Sequence, residues 1–269
     1  MFEGEKINTT EKRKVWHMML RHADAGLNEA TKDVHEVRDK IEAYSKAVRT
    51  GERRGYTGKK LVNFVCIGIG GSYLGPEFVY EALRFEPSAK AASQGFRLRF
   101  LANVDPIDFA RAMDGLDVEE TLFIVISKTL TTAETMLNAR TMKRFVLSHY
   151  EKTHAQEVTS KPEDFIARHV CAGSTNIEGT SKFGIAKDAV FGFWDWVGGR
   201  YSVSSAVGLL PLSLFYGSDV MTSFLTGMHE VDENLKTRTT ESTCAMLALI
   251  GFYNTYICGH NSRAILPYC

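Results

Sequence analysis

The chain has no excess of charge of either sign, and this absence narrows the partners it can have. Its 269 residues contain 32 lysines and arginines and 32 aspartates and glutamates, so the formal net charge at pH 7 is zero. Nucleic-acid-binding proteins usually carry a broad basic field. We therefore expect no nucleic-acid partner.

Long apolar runs and paired cysteines are also lacking. No stretch approaches the ~20 apolar residues of a membrane-spanning helix, and the start of the chain lacks the apolar core of a signal peptide. The five cysteines are scattered, with no C-x-x-C pair. We expect structural thiols, no metal, no membrane association and a cytoplasmic location, unless an organellar address follows Cys269.

From residue 59 onward, short apolar segments alternate with helical ones, within a chain that is 44% hydrophobic. This alternation predicts an α/β fold, with a doubly wound, mostly parallel sheet covered by helices on both faces. Strands are predicted at 61–67, 96–101 and 122–126, with weaker ones at 166–172 and 189–193. The helices after the first three strands are predicted to begin near Pro76, Pro106 and Thr132.

Three regions follow from this pattern. Residues 1–58 are predicted to form an N-terminal helical segment, including a helix start at 8–11 and a helix over 31–49. Residues 59–216 form the sheet domain, and 217–269 form a helical connection into a second domain that this chain lacks. We expect this connection to expose apolar side chains, among them Met246, Leu247, Leu249 and Ile250.

The first candidate site segment is the turn Gly68–Pro76 (GIGGSYLGP), which joins the first strand to a helix. Glycines allow a sharp turn and close approach to a ligand, and a helix start favours an anion. No Walker lysine follows, and Tyr73 stands where the dinucleotide fingerprint needs its third glycine, which argues against a nucleotide. An ordinary strand-to-helix turn is the alternative.

The second segment is Ser127-Lys128-Thr129-Leu130-Thr131-Thr132, which follows the strand 122–126. Four hydroxyls and one ammonium at a helix start suit a phosphate monoester. The alternative is simple helix capping, for which one hydroxyl is enough.

The third segment is 195–202, in which Gly198 and Gly199 precede Arg200. A permanently charged, planar donor on a tight turn suits a developing oxyanion. A surface arginine, or one that positions phosphate, is the alternative.

Together these three segments resemble signature regions of the glucose-6-phosphate isomerase (phosphoglucose isomerase) family, whose sugar-phosphate-binding domain has the SIS fold. The opening MFEGEKINTTE is also similar to a family segment, so the likeness covers nearly the whole chain. The resemblance implies interconversion of glucose 6-phosphate and fructose 6-phosphate through a cis-enediol, without a cofactor, in glycolysis and gluconeogenesis. It also implies a homodimer for the full-length protein.

The resemblance assigns residue roles as well. Arg200 becomes catalytic, and the residues implied to bind substrate are Gly71, Ser72, Ser127, Lys128, Thr129, Thr131, Thr132 and Gly199. The family's general base, a glutamate, is expected beyond Cys269, as are its ring-opening histidine and lysine. We interpret Glu134, His169, His260 and His22 as structural or solvated residues.

The resemblance therefore predicts an isomerase fragment that keeps the phosphate site and is inactive alone. The alternative is a non-catalytic sugar-phosphate sensor built on the same fold. A sensor of this kind is expected to carry a DNA-binding arm or a regulatory partner, and the N-terminal helices show no basic recognition helix.

Overall fold

A computed structural model describes residues 2–237 and 240–266. Met1 and Cys269 lie outside these ranges, so the interpretation of Cys269 as a structural thiol is untested. The chain forms two compact units, Met1–Ser223 and Phe224–Cys269. The domain boundaries at 58 and 216 remain a prediction.

A five-stranded, fully parallel sheet organises the first unit, which confirms the predicted α/β fold. The strand order is β2-β1-β3-β4-β5, and β1 and β3 are buried along their whole length. Strands buried on both faces read as continuous apolar runs, which is why the sequence pattern revealed them. The strands are β1 (Asn63–Ile67), β2 (Arg97–Leu101), β3 (Thr121–Ile126), β4 (Val170–Gly173) and β5 (Val190–Phe191).

Helices connect the strands of the first unit and flank its sheet, and further helices lie in the second unit. In chain order they are α1 (Glu29–Thr50), α2 (Gly71–Leu83), α3 (Pro87–Ala92), α4 (Pro106–Met113), α5 (Ala133–Tyr150), α6 (Ala155–Ser160), α7 (Pro162–His169), α8 (Ile177–Phe183), α9 (Ala206–Tyr216), α10 (Ser218–Leu235) and α11 (Thr243–Phe252). Short 3-10 helices occur at His17–Leu20, Val118–Glu120, Lys187–Ala189 and Gly199–Ser204, and a π-helical turn at Tyr253–Ile257. None of the helices in the described ranges is long and apolar enough to cross a membrane.

Local sequence explains the bounds of the long helix α1. The Asn28 side chain accepts a hydrogen bond from the Thr31 N–H, and the Thr31 hydroxyl accepts one from the Asn28 N–H, which forms a capping box. Gly51, with φ 81°, ends the helix in the left-handed region that favours glycine. α1 packs against α9, whose residues are all buried.

Three predicted boundaries are wrong. The helix predicted to begin near Pro76 begins at Gly71, because Gly70 (φ 57°) turns the chain directly into it. Residues 8–11 form a turn closed by a bridge between Asn8 and Arg13, and the first helical residues are in the short 3-10 helix from His17. The first half of the predicted strand 166–172 belongs to α7, which starts on a proline.

The second unit contains α11, which is apolar all round and has no buried residue. Met246, Leu247, Leu249 and Ile250 are 40–51% exposed. The aggregation or weak association expected from these side chains stays a prediction.

Candidate functional site

The candidate site lies at the carboxyl ends of β1 and β3, which are neighbours in the sheet although β2 separates them in sequence. In an open parallel sheet of this order, the crevice between these two strands is the topological switch point, where ligands bind. α2 begins directly after β1, and α5 begins shortly after β3. Both helices therefore direct their N-termini to the same edge of the sheet.

The start of α2 offers a backbone donor. Its N-cap, Gly70, has no side chain and so makes no capping bond. The Ser72 N–H donates to the Ile69 carbonyl at 3.1 Å, and the Tyr73 N–H to the Gly70 carbonyl at 3.0 Å. The Gly71 N–H has no acceptor within the described ranges. This amide is free to bind an anion at the positive end of the helix dipole.

The start of α5 is open as well. Thr132 occupies the N-cap position, but its side chain makes no capping hydrogen bond. The N–H groups of Ala133, Glu134 and Thr135 also lack acceptors among the described residues. Simple capping, the alternative interpretation of this hydroxyl-rich segment, thus fails at the position where it should act.

The loop before α5 is held in an unusual conformation. Leu130 has φ 55°, in the left-handed region that a leucine rarely adopts, and its N–H donates to the buried Ser127 Oγ at 3.1 Å. The hydroxyls of Thr129 and Thr131 are 2.5 Å apart. Strained backbone of this kind persists where the surroundings fix it, often at binding sites.

The surroundings that fix this loop come from the residues after β4, which our sequence analysis missed. The Lys128 carbonyl accepts hydrogen bonds from the Thr175 N–H at 3.0 Å and from the Thr175 hydroxyl at 2.6 Å. The Asn176 amide donates to the Thr129 carbonyl at 2.9 Å. The sequence could have revealed these residues by their position, because this polar run directly follows a strand and so lies at the same sheet edge.

Arg200 lies on the 3-10 helix Gly199–Ser204, which packs against α2. Gly71 leaves no room for a side chain at this contact, because a Cβ there would lie 1.9 Å from the Gly199 carbonyl oxygen. The Ser202 hydroxyl donates to that same carbonyl at 2.8 Å. The first and third sequence segments therefore meet backbone to backbone.

Lys128 joins the second segment to the third. Its ammonium donates to the Asp195 carbonyl at 2.9 Å and lies 3.4 Å from the Val197 carbonyl. Partial burial lowers the pKa of Lys128, and the nearby Arg13 lowers it further. The lysine fixes the loop before Arg200 in addition to carrying positive charge toward the site.

A cavity of about 400 Å³ adjoins these residues and is lined by Lys128, Gly199 and Arg200 together with Glu11 and His17. Arg200 is exposed, and no hydrogen bond or ion pair to another described residue holds its guanidinium. Ser72, Thr129, Thr131 and Thr132 do not line this cavity. Ser72 lies in the first turn of α2, Thr132 is the N-cap of α5, and Thr129 and Thr131 lie in the loop before it.

The residues that the sequence analysis considered and rejected as general bases do not line this cavity. Glu134 is exposed in the first turn of α5. His169 is fully buried at the opposite edge of the sheet, where it ends α7 directly before β4. Within residues 2–237 and 240–266, no group of three His, Cys, Asp or Glu side chains is placed to hold a metal ion.

Fold and site together define a parallel α/β domain with two open helix starts and a cationic loop at its switch point. The chain belongs to the phosphoglucose isomerase family, since the sequence profile described as "Phosphoglucose isomerase" matches residues 1–269. This finding confirms the resemblance predicted from the three segments.

Similar proteins support the same assignment. The chain is 47% identical over 275 aligned residues to a rice protein named glucose-6-phosphate isomerase, cytosolic A, and 48% identical to a cytosolic one from spinach. Both alignments take in the whole chain but only 46% and 47% of the relatives. A crystal structure of a glucose-6-phosphate isomerase from Chlamydia trachomatis matches 93% of this chain and 44% of its own, with 26% identity and a TM-score of 0.71. The chain spans about half the length of these relatives.

Proposed function

We propose that this chain supplies the sugar-phosphate-binding part of a glucose-6-phosphate isomerase, which interconverts glucose 6-phosphate and fructose 6-phosphate. The observation that carries the proposal is the pair of uncapped helix starts, α2 and α5, at adjacent strand ends beside the Arg200 loop. Membership of the phosphoglucose isomerase family supports the choice of substrate.

The phosphate is bound at the two helix starts. Four amides without acceptors, those of Gly71, Ala133, Glu134 and Thr135, supply neutral donors for its oxygens. The hydroxyls of Ser72, Thr129, Thr131 and Thr132 supplement them, while Ser127 shapes the loop through Leu130. Because the phosphate is remote from the reacting carbons, its binding energy orients the sugar.

Gly199 and Arg200 lie beside the reacting carbons in this proposal. Moving a proton between C2 and C1 through a cis-enediol develops negative charge on the sugar oxygens, and the unpaired guanidinium stabilises that charge. Loss of one preorganised donor of this kind typically costs ~3 kcal/mol, or about a hundredfold in rate.

The general base is not assigned to a residue near Arg200. A base must reach the proton that it removes. Of the two acidic residues that line the cavity, Glu11 accepts a hydrogen bond from the Asn8 side chain at 3.0 Å, and the backbone carbonyl of Asp195 accepts one from Lys128. Neither contact directs a carboxylate to Arg200, and the chain spans about half of its relatives, so we assign proton transfer to the part of the family's sequence that this chain does not span. A cytoplasmic location and a homodimer complete the proposal, and the cytosolic relatives support the location.

Isothermal titration calorimetry of the purified chain with fructose 6-phosphate tests the site, with unphosphorylated fructose as the matched control ligand. We expect heat of binding from the phosphorylated sugar alone. Equal behaviour of the two sugars contradicts the phosphate site.

A coupled isomerase assay tests the assignment of the base. We expect no turnover by the chain alone. Appreciable turnover that disappears in Arg200→Ala would place the base within these residues and overturn that part of the proposal.

A further inference from the structure

The N-terminal segment reaches across the molecule to the loop that carries Arg200. The Arg13 guanidinium donates to the Asp195 carbonyl at 3.1 Å, a contact between residues 182 positions apart. The rings of Trp16 and Trp196 meet edge to face, with 6.3 Å between their centroids. A third contact of the N-terminal segment is a hydrogen bond to the loop at Gly198.

That hydrogen bond joins His17 to Gly198. The Gly198 N–H donates to the His17 Nε2 at 3.0 Å. Gly198 is the N-cap of the 3-10 helix that contains Arg200, and its carbonyl accepts from the Tyr201 N–H at 3.1 Å. The Tyr201 ring packs on the imidazole at a centroid distance of 5.2 Å. His17 therefore contacts Gly198, which precedes Arg200 in the loop, and Tyr201, which follows it.

The bond requires a particular protonation state. A backbone N–H donates only to a nitrogen with a free lone pair, so the ring is neutral and carries its hydrogen on Nδ1. Burial lowers the pKa of His17, and Arg21 lowers it further, both of which favour this neutral ring. The other titratable or charged groups around it are Tyr201 on the loop and Glu11, Arg13, Lys14, Lys128, Asp195 and Arg200 on the shared cavity.

We propose that His17 is a positioning residue for the isomerase site: its neutral Nε2 holds Gly198, and thereby the turn that presents Arg200 to the sugar. The proposal rests on the proposed function for its consequence in binding. The hydrogen bond itself is independent of any ligand. Protonation of His17 removes the acceptor and releases the turn.

Two variants of the 269-residue chain separate this role from simple packing. His17→Leu keeps an apolar side chain of similar size but has no acceptor. His17→Gln places an amide oxygen near the position of Nε2 and does not titrate. His22→Gln is the matched control, because His22 lies five positions further along and bonds locally, to the Asp24 backbone.

The primary measurement is the hydrogen-exchange protection factor of the Gly198 amide, followed by NMR on glycine-labelled chain without ligand. We expect about tenfold less protection in His17→Leu and near-normal protection in His17→Gln and His22→Gln. On acidification below about pH 6.5, protection should fall more steeply in the wild-type chain than in His17→Gln. Equal protection in the wild type and His17→Leu, or the same acid response in His17→Gln, overturns the proposal.

Calorimetric titration with fructose 6-phosphate provides the second measurement. We expect binding to weaken about tenfold in His17→Leu and to be restored in His17→Gln. Unchanged affinity in His17→Leu, with Gly198 protection lost, refutes a role in sugar binding. If the wild-type chain binds no fructose 6-phosphate, the proposed function fails, and the exchange data still decide whether His17 holds the turn.

Discussion

The two edges of the parallel sheet differ in how completely their polar groups are paired. At the amino edge, Lys59 bridges Asp117 at 2.8 Å and Glu119 at 3.1 Å, and Glu119 also accepts from the Thr57 hydroxyl at 2.9 Å. At the carboxyl edge, helix-start amides lack acceptors and the Arg200 guanidinium is unpaired within the described residues. A paired edge contributes stability, whereas an unpaired edge is available to a ligand.

His169 is the most closely held group of the amino edge. Its Nε2 accepts hydrogen bonds from the Tyr150 hydroxyl at 2.8 Å and from the Tyr56 N–H at 3.1 Å. Its Nδ1 donates to the Thr121 carbonyl at 2.9 Å. The imidazole is thus a structural group with every polar atom satisfied, which agrees with the structural interpretation made from sequence.

The largest expected effect follows from removing this group. His169→Ala removes the partner of three polar groups, two of them on the buried residues Thr121 and Tyr150, and opens a cavity, so we expect a loss of about 3 kcal/mol in the free energy of unfolding. Urea denaturation followed by circular dichroism measures the loss. His149→Ala is the control at the same edge, and because its ring is a third exposed it should lose much less. If His169→Ala, measured under conditions in which it is folded, also binds fructose 6-phosphate more weakly, the separation of a stabilising amino edge from a ligand-binding carboxyl edge is wrong.

Acid should weaken the amino edge through the same residue. Burial lowers the pKa of His169, although the Thr121 carbonyl, Glu119 and Asp117 oppose the shift and His149 adds to it. Below pH 6.5 the unfolded chain binds a proton that the folded chain excludes, so stability is complete above that pH and declines on acidification through it. We expect a slope of at most about 1.4 kcal/mol per pH unit from this group.

Urea denaturation at a series of pH values measures that slope. Repeating the series on His17→Gln removes the contribution of the histidine at the carboxyl edge. The slope should persist in this variant. Stability that is flat or that rises on acidification would contradict the assignment to His169.

Helix caps provide a smaller contrast. Asn28 caps α1 through its side chain, so Asn28→Ala should cost about 1 kcal/mol of stability. Thr132 occupies the same position on α5 without capping it, so Thr132→Val should leave stability within about 0.5 kcal/mol of the wild type. Affinity for fructose 6-phosphate should fall about fivefold in Thr132→Val and should not change in Asn28→Ala. If Thr132→Val is the less stable of the two variants, Thr132 is a structural cap after all.

The smallest effect is expected from Lys59→Met at the amino edge. Hydrogen bonds to Asp117 and Glu119 raise the pKa of Lys59, which keeps it charged, yet its side chain is 45% exposed. Water and salt screen exposed ion pairs, so we expect the melting temperature to change by less than about 2 °C. Scanning calorimetry at low and high salt checks this, and a larger shift that survives high salt would contradict it.

The sequence analysis identified groups whose position follows from the neighbouring strand or helix. It missed groups that are held by residues far away in the chain. β1 and β3 are continuous apolar runs, and segments that follow neighbouring parallel strands meet at one sheet edge, so the sequence placed Gly71 and Ser127 at the same edge. His17 reaches Gly198 across 181 residues. No spacing or periodicity encodes such pairs, because only the finished packing brings them together.

The contact between Trp16 and Trp196 has a spectroscopic consequence. The chain has three tryptophans, and the third, Trp194, stacks on Trp196 at 5.4 Å. All of the chain's indole fluorescence therefore originates where the N-terminal segment meets the loop that carries Arg200. Far-UV circular dichroism, in contrast, reports on every helix and strand. Because this contact closes a loop of about 180 residues, indole emission should record the completion of the site as an event separate from formation of the sheet.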